Sequence, residues 1–263
     1  YKYKALPNKS SDKKICIFID DTSYLYQCIR ELLPFLGNCV TFPSKFASDI
    51  VTFKAVMMES NAKAAIVTNP YATKARQTTF ELASKEFEVK VFERGALPDS
   101  WFVDHDMPWH SGSYSEKYWE NELDTKNRRS VISYLHTLQR GAITLENNAR
   151  RIGAQKAQEI LSIPQGTKII FVPLQTPHDT SVGEHTKLTN NYSEFINEID
   201  DYAYEINKLG WKIVVKIHPL DTSKYDFKYC IVAPSDMNIH DLIDLSAGVL
   251  CYNSGAGLLA IAH

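Results

Sequence analysis

Long apolar runs, glycine and paired cysteines are all scarce in this chain of 263 residues. No apolar run approaches the roughly 18 residues that a membrane-spanning helix requires, and the polar N-terminus lacks the apolar core of a signal peptide. The 5 cysteines form no C-x-x-C pair, which argues against structural zinc and for a reducing compartment. These absences predict a cytoplasmic protein, and they leave peripheral contact with the inner membrane open.

The chain also lacks an excess of charge of either sign, and it lacks the common catalytic motifs. The formal net charge is -2 and no block of like charge stands out, so a nucleic-acid partner, which needs a basic face, is not expected. The sequence contains no P-loop, no G-x-S-x-G elbow, no H-E-x-x-H pair and no G-x-G-x-x-G fingerprint. A dinucleotide-binding site of the usual type is therefore unsupported.

What the sequence does contain is an alternation of short β-branched runs with amphipathic stretches of helical length. Hydrophobic residues make up 44% of the chain, which is enough for a sizeable core without disulfides. The alternation indicates βαβ units and therefore an α/β fold with largely parallel sheets. The predicted strands are residues 15–19, 65–67, 89–92, 168–173, 212–217, 230–233 and 248–252, and the predicted helices are residues 23–33, 44–60, 72–87, 125–139, 145–161, 192–209, 238–245 and 255–262.

The turn residues Pro164 and Gly166 interrupt this alternation, which starts again at residue 168. We therefore predict two Rossmann-like domains, residues 1–163 with a helical linker and residues 164–263. The second domain stops inside a predicted helix at His263, whereas a parallel sheet normally continues with further strand–helix units. We expect this domain to be incomplete at its C-terminus.

Polar residues follow three predicted strands of the second domain, and ligands of open α/β sheets bind at such carboxyl ends. A histidine and a lysine of the same parity on one strand are suited to holding a phosphate, and a helix N-terminus offers N–H groups to an anion. The pattern therefore predicts a nucleotide site. Its residues are Gln175, His178, Asp179 and Thr180 after the first strand, Lys216, His218 and Pro219 around the end of the second, and Asn253, Ser254, Gly255 and Gly257 after the third.

Each of these clusters also has a simpler explanation. Asp179 is consistent with a turn in which its carboxylate caps backbone N–H groups. His218 is consistent with a hydrogen-bonded loop histidine, and Asn253 or Ser254 with a plain helix N-cap. The occurrence of all three clusters in one half of the chain is more specific than any one of them.

Acidic and aromatic residues crowd the irregular segment that follows the predicted strand 89–92. Aromatic faces beside carboxylates suit sugar rings, so we expect residues 93–109 to face an interdomain cleft and contact an acceptor. His105 between two aspartates resembles a metal cluster, but consecutive residues of a regular strand or helix cannot all point at one ion, so no metal is expected. The residues concerned are Glu93, Asp99, Trp101, Asp104, His105, Asp106 and Trp109.

Four stretches resemble, in order, motifs of the capsule polysaccharide biosynthesis family, which includes the retaining β-Kdo transferases of capsule, O-antigen and lipopolysaccharide assembly. They are FERGALP, FVPLQTPHDTSV, KIHPLD and NSGAGLLAI, between residues 92 and 261. The resemblance implies a GT-B-like architecture of two facing domains, with the nucleotide on residues 165–263. It also implies CMP-Kdo as donor, no divalent metal, Asp179 as nucleophile, and contacts to the nucleotide phosphate and ribose side from the last two stretches.

The leading hypothesis is thus a glycosyltransferase that moves a sugar, Kdo from CMP-Kdo with retention, onto a glycan or glycolipid acceptor. Its candidate catalytic residues are Asp179, Gln175, Glu93 and Asp104. Two alternatives stay open. Another sugar-nucleotide enzyme of the same fold, such as an epimerase, returns a free nucleotide sugar and needs no acceptor. A non-catalytic scaffold of capsule assembly has no need to keep the strand-end residues together.

Overall fold

Two mainly parallel sheets form from the β-branched runs, as the alternation predicts. The computed structural model describes residues 14–108, 110–113, 122–141, 143–144, 146, 148–184 and 192–263. The chain folds into two compact units. The first unit comprises the described residues of Tyr1–Gly95 and Ser100–Asn121, and the second comprises those of Ala96–Asp99 and Glu122–His263.

The first unit is built on a five-stranded sheet of order β2-β1-β3-β4-β5. Its first four strands run parallel, and β5 is antiparallel to β4. The strands are β1 (Lys14–Phe18), β2 (Cys39–Phe42), β3 (Ala62–Val67), β4 (Glu88–Arg94) and β5 (Trp101–Asp104). The helices are α1 (Tyr24–Leu36), α2 (Ile50–Glu59) and α3 (Lys74–Ala83), with a 3-10 helix at Ser44–Ser48.

A single capping residue divides the helix predicted for residues 44–60. Asp49 has an extended backbone, and its carboxylate accepts a hydrogen bond from the backbone N–H of Thr52 at 2.8 Å, which starts α2. The 3-10 helix ends just before it. Beyond the cap, α2 buries Phe53 against β1, where the rings of Phe53 and Phe18 stack with centroids 4.5 Å apart.

The strands β2 and β5 were not predicted. The segment after the predicted strand 89–92 was expected to be irregular, yet residues 95–100 fold β5 back onto β4 and pair Arg94 with Trp101. Gly95 permits this turn, because a Cβ at that position would clash with Ser100. Trp101 then stacks on the buried Phe92 at 5.8 Å between ring centroids. This tryptophan therefore packs on its own sheet.

The second unit is built on a four-stranded, wholly parallel sheet of order β8-β7-β6-β9. The strands are β6 (Lys168–Pro173), β7 (Trp211–Lys216), β8 (Ile231–Val232) and β9 (Gly248–Val249). The helices are α4 (Thr125–Gly141), α5 (Ala154–Ile160), α6 (Thr180–Glu184), α7 (Tyr192–Asn207), α8 (Ile239–Leu245) and α9 (Ala256–Ile261). Of these, only α6 falls where a loop was predicted.

The division between the units differs from the boundary expected at residues 163 and 164. The helices α4 and α5, assigned by the sequence to the first domain, share one apolar core with β6. Leu138, Ala157 and Leu161 are buried in the same cluster as Ile169 and Phe171. Burial of these apolar faces outweighs the turn at Pro164 and Gly166, which lies inside the second unit.

A fully buried carboxylate fastens the segment between α4 and α5 to α8. Asp241 accepts hydrogen bonds from Arg151 Nε at 3.1 Å, from the Ile152 N–H at 2.8 Å and from the Gly153 N–H at 2.9 Å. Arg151 also pairs with Asp244. Gly153, with φ at 88°, begins α5, which explains why this helix is shorter than the predicted 145–161.

No helix among the described residues combines the length and apolar character that crossing a bilayer requires.

We predict that Asp241→Asn lowers the free energy of unfolding by about 3–5 kcal/mol, because it removes the buried charge that accepts hydrogen bonds from Arg151 and two backbone N–H groups and leaves Arg151 paired with Asp244. Urea unfolding followed by circular dichroism measures the change. Glu159→Gln is the control, since it removes an exposed pair with Lys156 and should leave the midpoint unchanged. Equal midpoints for Asp241→Asn and the wild type would show that the buried pair contributes nothing.

Candidate functional site

Two loops of the second unit are joined at the carboxyl edge of its sheet. Because β6 runs parallel between β7 and β9, the chain leaves all three strands at the same edge. Just beyond β6, the Gln175 side-chain oxygen accepts a hydrogen bond from the backbone N–H of Asn253 at 3.1 Å. Two residues that the sequence placed 78 positions apart therefore meet.

Tyr192, which the sequence reasoning did not single out, holds Gln175 from the other side. The hydroxyl oxygen of Tyr192 accepts a hydrogen bond from the Gln175 backbone N–H at 2.8 Å. Burial raises the pKa of Tyr192 to about 12. Its ring also contacts Tyr252 at 5.5 Å between centroids. The only sequence signal was a hydroxyl-bearing aromatic residue at the start of a predicted helix.

Asp179 caps the short helix α6, as the simpler explanation expected. One carboxylate oxygen, Oδ1, accepts from the backbone N–H of Ser181 at 2.8 Å and from its hydroxyl at 2.6 Å. Asp179 is exposed, and Oδ2 has no hydrogen-bond partner within the described ranges. The neighbouring His178 is exposed as well. The cap thus orients the carboxylate through Oδ1.

Asn253 connects this cap to Gln175. Its side-chain amide donates to the Ser181 carbonyl at 2.6 Å, while its backbone N–H donates to Gln175. It does not cap α9, which was one of the two expectations for this residue. A continuous set of contacts therefore runs from Tyr192 through Gln175 and Asn253 to Asp179.

His218 lies just past β7 as a half-buried, oriented imidazole. Its Nδ1 accepts a hydrogen bond from the Leu220 backbone N–H at 3.1 Å, so the neutral ring carries its proton on Nε2. Burial lowers the pKa of His218, as does Lys216, whereas Glu146, Asp179 and Asp221 oppose the change. The neutral ring is therefore an N–H donor beside several charged groups.

Lys216 is the last residue of β7 and is only 5% exposed. Burial lowers its pKa, and Asp236 opposes this shift. Pro219 is exposed after His218. A buried cation gains stability from an anion that reaches it.

The turn from β9 to α9 is closely packed. A Cβ at Gly257 would lie 2.7 Å from the Cys251 sulfur, which would have to move, and a Cβ at Gly255 would lie 3.2 Å from the Ala96 carbonyl oxygen. The Ser254 hydroxyl accepts from the Ala256 N–H at 3.2 Å. Burial raises the pKa of the Cys251 thiol, although the N–H groups of Ser254 and Gly257 oppose this by hydrogen bonding to the sulfur.

The acidic residues of the first unit have hydrogen-bond partners of their own. Burial disfavours the charged form of Asp104, but hydrogen bonds from Ser113 and the His105 N–H outweigh it and lower the pKa to about 2. Such a carboxylate is a weak base, and its bonds order the segment after β5. Glu93, on β4, accepts from the Arg94 N–H at 3.0 Å. Their catalytic roles stay predictions.

The carboxylate of Asp106 is bound by neighbouring protein groups. It accepts from the Tyr71 hydroxyl at 2.8 Å and from the Met107 N–H at 2.7 Å, and it pairs with His110. Across the part of the chain that is described, no group of three His, Cys, Asp or Glu side chains is placed to hold a metal ion. Trp109, expected to contact the acceptor, lies outside the described residues.

The sequence profile described as "Capsule polysaccharide biosynthesis protein" matches residues 124–263, more than half of the chain. The chain belongs to this family. Its capsule-biosynthesis match covers the strand-end residues of β6, β7 and β9, and it starts near the point where the second unit begins. No curated protein matches the sequence.

The fold of this capsule-biosynthesis protein is similar to that of a solved structure, the β-Kdo 2,7 transferase KpsC of Thermosulfurimonas dismutans. The two share 16% sequence identity at a TM-score of 0.61, over 95% of this chain and 76% of that one. The E. coli ADP-heptose lipopolysaccharide heptosyltransferase II aligns over 94% of this chain and 82% of that one, at 7% identity and a TM-score of 0.32. That score is too low to support an argument.

We predict that Tyr192→Phe lowers the free energy of unfolding by about 1–3 kcal/mol, because the buried Gln175 N–H loses its acceptor. Chemical denaturation measures this. Tyr202→Phe is the matched control on the same helix, since Tyr202 is 51% exposed and should tolerate loss of its hydroxyl. If both variants unfold at the same denaturant concentration, Tyr192 does not hold the loop after β6.

Proposed function

We propose that this chain is a glycosyltransferase that transfers a sugar from a nucleotide donor to a glycan acceptor in capsule polysaccharide biosynthesis. The observation that carries the proposal is the set of contacts joining Gln175, Asn253 and the Asp179 cap at the carboxyl edge of a parallel sheet. Family membership and the fold likeness to KpsC support it.

The donor we propose is CMP-Kdo, used with retention. Asp179 Oδ2 attacks the anomeric carbon, and the bond from that carbon to the phosphate oxygen breaks with its electron pair leaving on CMP. An acceptor hydroxyl then gives its proton to water and attacks the same carbon, which breaks the bond from that carbon to Asp179 and releases the carboxylate. Two inversions give net retention, as in retaining glycosidases.

The groups at the end of β7 suit departure of the phosphate. His218 presents an Nε2–H donor, and Lys216 is a buried cation whose charged form an incoming phosphate would favour. These groups need no reorganisation when charge develops on the leaving oxygen. Ser254, Gly255 and Gly257 form the close-packed turn on the other side of β6.

The first unit supplies the acceptor side in this proposal. As in the GT-B architecture, the two units would face each other across a cleft, with residues 93–109 contacting the acceptor. The enzyme would work in the cytoplasm, with a glycan or a membrane-associated glycolipid as acceptor.

We predict that Asp179→Asn folds normally but loses several orders of magnitude in turnover. Asparagine keeps an oxygen that can cap α6, but it removes the charged nucleophile. Turnover is measured as CMP release in the presence of an acceptor. Intact-protein mass spectrometry after incubation with CMP-Kdo should detect a sugar adduct on the wild type, on the peptide that contains Asp179.

Asp49→Asn is the matched control for this substitution. Asp49 caps α2 through the same kind of contacts, to the N–H and hydroxyl of Thr52, so its variant repeats the loss of a capping charge in the first unit. It should retain full turnover. A fully active Asp179→Asn enzyme, or an adduct on another carboxylate, would rule out this nucleophile.

We also predict that turnover is unchanged by EDTA, because Lys216, His218 and backbone N–H groups would stabilise the departing phosphate in place of a divalent cation. The measurement is CMP release before and after chelation and gel filtration. Loss of activity that magnesium or manganese restores would contradict this and would assign the leaving-group role to a metal.

A further inference from the structure

Positive charge is concentrated in one part of the second unit. The basic residues are spread over the chain in ones and twos, so no long basic block stands out, but residues 125–151 contain six basic residues and one acidic residue in a chain of net charge -2. The basic residues are Lys126, Arg128, Arg129, Arg140, Arg150 and Arg151, and the acidic residue is Glu146.

Two adjoining concave surfaces collect much of this charge. One, of about 390 Å³, follows a single face of α4 and includes Arg129, His136 and Arg140. The other, of about 700 Å³, lies between the end of α4 and the start of α8 and includes Arg140, Arg150 and Arg151. Arg140 belongs to both, so the surfaces are continuous, and no acidic residue is among the described residues that line them.

The segment that carries Arg150 is irregular but firmly held. The Ala149 N–H donates to the Asp236 carbonyl at 2.6 Å, and the Ala149 carbonyl accepts from the Asn238 side chain at 3.0 Å. On the other side, Arg151 is fixed by Asp241. The backbone on both sides of Arg150 is therefore anchored, while the Arg150 side chain itself is exposed.

Three arginines of this surface have no carboxylate within ion-pair distance in the described parts of the chain: Arg129, Arg140 and Arg150. Arg140 lies in the last turn of α4, where a cation is stabilised by the helix dipole. That explanation does not apply to Arg129, near the start of the helix, or to Arg150, which lies outside it.

We propose that this surface binds an acidic glycan chain that carries carboxylates or phosphates along its length. Arg129 and Arg140 are separated by about 16 Å along the helix axis, which suits several sugar units rather than one small anion. The concave shape favours a chain over a flat bilayer, and Ile132 beside His136 offers an apolar face to sugar rings. The proposal rests on the proposed function only in treating the acidic glycan as the acceptor.

The test is fluorescence anisotropy with a labelled oligogalacturonate, without nucleotide, on protein carrying Asp179→Asn as well as on the wild type. We expect binding that weakens as salt is added, no binding of a dextran of matched length, and the same affinity for both proteins. Arg140→Gln and Arg150→Gln should each weaken binding about tenfold, the effect of losing one charge-assisted contact. Arg151 is not tested, because its loss would leave Asp241 unpaired.

Arg128→Gln is the matched control, since it removes the same charge from α4 at a residue outside both concave surfaces. It should bind as the wild type does. Equal weakening by Arg128→Gln, binding of dextran, or no binding of oligogalacturonate would overturn the proposal. Binding only to phosphatidylglycerol vesicles would overturn it in favour of a membrane surface. Because no turnover is measured, failure here is distinguishable from failure of the Asp179 mechanism.

Discussion

Burial of β6 between two parallel neighbours determines which loops of the second unit can meet. Ile169, Phe171 and Val172 are almost fully buried, so the strand cannot be displaced without opening the core. Its register with β7 pairs Pro173 with Lys216, which aligns the ends of the two strands. The loops that follow these strands therefore lie close together. The hydrogen bonds between the loops fix the details of an arrangement that the sheet already determines.

The local part of this arrangement could be predicted from the sequence. The strand β6 occupies residues Lys168–Pro173 as expected, because a β-branched run between turn residues has few other ways to bury its side chains. Parallel topology followed from the alternation with helices, and polar clusters after three strands indicated the edge at which we propose the site. Gln175, Asp179 and Asn253 were each found from their position relative to a strand.

The contacts that hold these residues could not be predicted, because they join distant parts of the chain. Tyr192 meets Gln175 across 17 positions, and Asn253 meets Ser181 across 72. Asp241 attaches the segment before α5 across about ninety positions, which moves α4 and α5 into the second unit. No local periodicity carries such information, since each contact depends on the assembled sheet.

The close approach of Gly257 to Cys251 makes the Cys251 thiol a chemical probe of the turn after β9. A Cβ at Gly257 would lie 2.7 Å from the Cys251 sulfur, so a group attached to this partly exposed thiol finds no room on the Gly257 side unless the turn moves. The raised pKa of Cys251 slows alkylation of the thiol further. The alkylation rate of Cys251 is therefore sensitive to how tightly this turn packs. A molecule that bridges the loops after β6 and β9 would lower the alkylation rate of Cys251 without touching the sulfur.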